Sequence, residues 1–125
     1  MLAPVSDDEI RLVIPAQPEY GRIARITASS LALRLGFGFT EIEDLRLAVD
    51  EMIILLLRPE GETGTISLTF RVVAEGLEVD AEATAATGAD DAGARARFEE
   101  LVDGIVDEHG VDADRRTVHL VLHRR

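Results

Sequence analysis

The stretch Thr65–Ala83, TISLTFRVVAEGLEVDAEA, alternates apolar and polar residues across a central Glu75-Gly76. Ile66, Leu68, Phe70 and Val72 fall on one side of an extended chain, and Ser67, Thr69 and Arg71 on the other. After the turn, Leu77, Val79, Ala81 and Ala83 resume the apolar side. A period of two on both sides of a glycine-containing turn predicts a β-hairpin with one buried face. That face needs a cover, and its surroundings supply helices. Thr40–Leu56 carries Ile42, Leu45, Val49, Met52 and Leu56 as one helical stripe. Thr40 and Glu43 read as a capping box at its start, and Pro59 and Gly61 as its end.

Further upstream, residues 18–35 predict another helix. Pro18 sits in the first turn, Tyr20, Ile23, Ala24, Leu31 and Leu35 form the apolar face, and Gly36 is the C′ residue. Residues 9–14, EIRLVI, alternate and stop at Pro15, which predicts an edge strand. Downstream, residues 84–93 read as a loop. Residues 94–108 read as a third helix, with Phe98, Leu101, Val102, Ile105 and Val106 inside and His109 at its C-terminal end. Residues 117–122, TVHLVL, read as a last strand. The order β-α-α-β-β-α-β predicts an α+β two-layer sandwich: a largely antiparallel sheet and three helices. No repeat or linker divides residues 1–125, so the expectation is one domain.

Composition narrows the function. The 125 residues include no cysteine, which removes disulfides, thiol nucleophiles and cysteine-held metals. The net charge is −11, a surface that repels nucleic acid and anionic membranes and suits a basic protein partner. Aromatic residues are 4% of the chain, too few for base-stacking platforms. The N-terminus has neither a basic segment nor an apolar run, and Met52–Leu57 is far short of a membrane span. The expected setting is soluble and cytoplasmic.

The segment Ile42–Leu57, IEDLRLAVDEMIILLL, resembles the E-x-x-x-N helix of anti-sigma factor serine kinases of the RsbW and SpoIIAB type, in the GHKL ATPase superfamily. Asp44-Leu45-Arg46-Leu47-Ala48-Val49-Asp50-Glu51 matches that family's D-[LM]-[RK]-[LI]-A-V-[SD]-E phrase. The ARITASSLALRLGF segment before it and the LVDGIVDEHGVDADRRTVHLVL segment at the C-terminus are similar to the family's first helix and to its last helix and strand. The resemblance implies the GHKL (Bergerat) fold. It implies ATP and Mg²⁺ as cofactors of active members. As partners it implies an alternative sigma factor, a STAS-type antagonist and a second copy of the chain, paired through the first helix and strand.

The departures fall on the family's nucleotide site. The helix Glu, the base toward the attacking hydroxyl, is Glu51 here. The Asn that coordinates Mg²⁺ is Leu55, which offers no oxygen. The Asp-Gly box that reads adenine is replaced by Ala83–Gly88, so Ala85 and Gly88 stand there without a carboxylate. Of the lid glycines, only Gly93 is retained. The resemblance therefore implies a degenerate member, which binds its partners without the usual ATP chemistry and needs no cofactor. The alternative is an active kinase with an atypical nucleotide site, with Asp44 or Asp50 as metal ligand.

Single features carry paired readings. Glu51 is a vestigial base or a helix glutamate without a role. The all-round apolar Met52–Leu57 packs under the other helices into a side-chain-filled pocket, or it forms an interface. His119 and His123 share a strand face, but no third ligand is apparent, so both read as exposed strand histidines and no metal site is expected. The Arg115-Arg116 and Arg124-Arg125 pairs read as a solubilising basic end.

Overall fold

The computed structural model describes residues 8–57, 63–84, 92–112 and 114–124. Its elements are β1 (Glu9–Pro15), a 3₁₀ turn (Pro18–Tyr20), α1 (Gly21–Arg34), α2 (Phe39–Leu56), β2 (Thr65–Val73), β3 (Gly76–Ala83), α3 (Ala92–Asp103), β4 (Glu108–Asp112) and β5 (Thr117–His123). The five strands form one sheet in the order β1-β2-β3-β5-β4, and every neighbouring pair is antiparallel. The α+β two-layer sandwich is borne out, with β1 at an edge as its proline demanded.

The hairpin has the expected register: Phe70 pairs with Val79, and Val73 with Gly76. Glu75 takes the turn's left-handed position with φ of 68°. Gly76 is required for a different reason. A Cβ there would lie 2.3 Å from the Leu122 carbonyl oxygen, so β5 can approach only a glycine. Ile66, Leu68, Phe70, Leu77, Val79, Val118, Leu120 and Leu122 are buried on the inner face, in one core with Leu45, Val49, Met52 and Phe98 of the helices. Ile42 packs against that core, so helix and hairpin share it.

The C-terminus of α1 is a Schellman motif. Gly36 has φ of +83°, its N–H donates to Leu33, and Phe37 N–H donates to Ala32. The buried face of α1 differs from expectation, since it consists of Gly21, Ala24, Ala28 and Ala32. Tyr20 and Ile23 are exposed. The reason is proximity: the Cβ position of Gly21 is 3.6 Å from Cγ2 of Ile53, so α1 meets α2 on small residues.

Three local readings are corrected. Helix α2 begins one residue early, with Gly38 as its N-cap. Its capping carboxylate is Glu41, whose Oε1 accepts the Gly38 N–H at 2.8 Å, while Glu43 pairs with Arg46 instead. Helix α3 stops at Asp103 before Gly104, so Leu101 is exposed, Ile105 lies beyond the helix and residues 108–112 become strand β4. His109 is on that strand, opposite Leu120, and its Nε2 lies 3.0 Å from an Asp103 oxygen at the helix end. The expected helix-ending Pro59 and Gly61 lie outside the described residues. The described helix ends before them, with Leu57 already extended.

Candidate functional site

Helix α2 crosses the inner face of the sheet and presents Glu51 near its C-terminal end. Glu51 shares a face with Ala48 and Leu55, at i−3 and i+4. Ala48 is fully buried, Glu51 is half-buried, and Leu55 is half-buried against the core. The carboxylate thus stands at the margin of the core beside an isobutyl group. The flanking Asp50 is engaged elsewhere: Arg25 Nη1 of α1 donates to its Oδ1 at 2.6 Å. Within the apolar run, Met52, Ile53 and Leu56 are buried and Leu55 and Leu57 pack partly against the core. Only Ile54, 47% exposed, faces out. Helix packing therefore accounts for most of that run.

The other positions expected at the site lie on α3 or outside the described residues. Gly93 is exposed in the first turn of α3. Ala85 and Gly88 lie outside the described residues.

A second group of chemistry-bearing side chains gathers on the opposite face of the sheet. Arg71 of β2 pairs with Glu78 of β3 directly across the ladder. The same guanidinium lies 3.5 Å from Asp80 and 3.6 Å from Glu9 of β1. Burial pulls the Arg71 pKa down, but the Glu78 hydrogen bond and the charges of Glu78, Glu9 and Asp80 outweigh it, and the net direction is up. Its charge would be lost only as pH rose beyond the ordinary arginine range. Asp80 also meets His119 of β5, with 2.6 Å between Oδ1 and Nδ1. One donor atom from each of Glu78, Asp80 and His119 falls within 4.8 Å of the others.

His119 is therefore not simply an exposed strand histidine. Sequence reasoning placed it with His123 on its own strand, whereas its neighbours come from β3. The available signal was the Glu78-x-Asp80 alternation on the polar side of the hairpin. Its pairing with β5 could not be read, because that register joins residues 39 apart.

No protein-family model matches the chain. Curated relatives do. It is 41% identical over 75 residues to the serine-protein kinase RsbW of Bacillus subtilis, an alignment covering 58% of this chain and 47% of that protein. The RsbW proteins of Oceanobacillus iheyensis and Listeria monocytogenes are each 37% identical over 75 residues, covering 58% of this chain and 48% of theirs. The chain spans about half the length of the curated relatives it matches. Over that aligned stretch, the chain is similar to serine-protein kinases named RsbW.

Proposed function

We propose that this relative of the RsbW kinases is a regulatory binding protein, which holds an alternative sigma factor, a STAS-type antagonist or both without turning over ATP. The observation that carries the proposal is Leu55. It stands where the family's metal-binding Asn is expected, and it packs against the core beside Glu51. Mg²⁺ needs hard oxygen ligands, and a half-buried leucine supplies none. The engagement of Asp50 by Arg25 supports the same reading, since it commits a nearby carboxylate that could otherwise have stood in.

Release of a partner would then depend on competition between sigma factor and antagonist for the surface, decided by their affinities and concentrations. The net charge of −11 favours a basic partner and mainly speeds association. Homodimerisation is part of the proposal. Edge strand β1 leaves Val13 45% exposed, and α1 leaves Ile23, Ile26 and Leu33 facing outward. The proposed unit is a single domain acting in the cytoplasm. Among the described residues, no helix is long and apolar enough to cross a membrane.

The second reading is an active protein serine kinase using ATP and Mg²⁺. It is favoured by the relatives' activity and by the retention of Glu51. Thermal unfolding with and without Mg-ATP separates the two. A ligand at one hundred times its dissociation constant adds ~2.7 kcal/mol of apparent stability. The expected result is no shift at millimolar nucleotide, with sigma-factor binding by surface plasmon resonance unchanged by ATP. A clear shift, or binding that requires ATP, returns the kinase reading to first place.

A further inference from the structure

Asp80 and His119 are cross-strand partners on β3 and β5, and Glu78 stands two residues along β3 on the same face. The three donor atoms therefore come from adjacent central strands, and their spacing is held by the ladder rather than by a loop. All three side chains are partly open to solvent, with 24% of the Glu78 side chain, 42% of Asp80 and 39% of His119 accessible. Across from His119 on edge strand β4 is Gly110, where even a Cβ would meet nothing within 4 Å. The imidazole therefore has free space beside it and a path from solvent.

The donor set is one imidazole nitrogen and two carboxylates. Zinc accepts that mixture with three protein ligands and an open fourth position, whereas Mg²⁺ and Ca²⁺ favour oxygen alone. The local charge also favours a further cation, because three carboxylates converge on the single guanidinium of Arg71.

We propose that Glu78, Asp80 and His119 form a binding site for a divalent transition-metal ion, zinc foremost, on the face of the sheet opposite the helices. Arg71 is its counter-cation when the metal is absent. On binding, Glu78 exchanges the guanidinium for the metal, and Arg71 keeps Glu9, 3.6 Å away. His119 binds as the neutral imidazole, so a proton it carries is released. The site lies on the face opposite α2 and does not depend on the reading of Glu51 and Leu55.

Zinc chloride titrated calorimetrically into the chelator-treated chain tests this. One saturable site per chain is expected, and cobalt in place of zinc should give the visible absorption of a low-coordinate ion. His119→Gln and Asp80→Asn should each weaken zinc binding roughly tenfold or more, since even outer partners of a metal site are worth ~10–100-fold. Both side chains are partly exposed, and circular dichroism of the variants should match that of the unsubstituted chain. Arg71→Gln, by removing the competing cation, should tighten binding. His123→Gln and His109→Gln should leave it unchanged. Absence of saturable zinc binding overturns the proposal, as does an affinity indifferent to His119→Gln and Asp80→Asn, or lost equally in His123→Gln.

Discussion

The two faces of the sheet are made by alternate residues of the same strands, and they hold together in different ways. On β3, Leu77, Val79, Ala81 and Ala83 are buried under the helices, while Glu78, Asp80 and Glu82 face away from them. The inner face is stabilised by removing apolar area from water, which is non-directional and accumulates over many neighbours. The outer face is stabilised pair by pair, through Arg71 with Glu78 and Asp80 with His119. Exposed ion pairs of this kind contribute ~1 kcal/mol or less each. The comparison teaches that the inner face carries most of the stability, which leaves the outer face free to bind.

The largest test of that division is Phe70→Ala. Phe70 is 1% exposed at the centre of the inner face, and its truncation should cost about 3–5 kcal/mol in urea unfolding. The adjacent Thr69→Ala, on the outer side of the same strand, should stay within ~0.5 kcal/mol. Similar losses at the two positions would break the comparison. Gly76→Ala probes how closely the strands approach. Its Cβ would meet the Leu122 carbonyl at 2.3 Å and the His123 Cα at 2.9 Å, both backbone atoms that cannot swing aside. A loss of about 1–3 kcal/mol, read as a lower melting temperature, is expected for such overpacking. A smaller loss than at Phe70 or Gly76 is expected for Arg71→Gln, at ~1 kcal/mol or less in low salt. It should shrink further in 1 M NaCl, where the Debye length falls to ~3 Å. A loss that salt leaves unchanged would show that Arg71 acts by packing its stem rather than by charge.

Features set within a few residues were legible before the structure. Gly36 was placed at the C′ position of α1 because a left-handed residue there suits glycine, and it has φ of +83°. The hairpin was legible because its turn and alternation lie within 19 consecutive residues. The inner face of α1 was not. Ile23 scores as a core residue on hydrophobicity alone, yet α1 approaches α2 so closely that Gly21, Ala24, Ala28 and Ala32 are the ones that fit. Strand β4 was missed because Glu108-His109-Gly110-Val111-Asp112 has little strand character of its own. It forms because β5 offers it an edge to pair with.

The candidate sites divide in the same manner. Glu51 and Leu55 were read from one helix phrase, and their shared face follows from helical spacing alone. The meeting of Glu78, Asp80 and His119 required β5 to insert between β3 and β4. By itself, then, the sequence determined the sandwich class, the hairpin, the helix carrying Glu51 and the resemblance to the RsbW kinases. Each of these rests on contacts between near neighbours in the chain or on a contiguous phrase. Tertiary structure alone decided the strand order, the close face of α1 and the position of His119. Those depend on registers between distant segments, which are chosen by how the whole core closes and by no local signal.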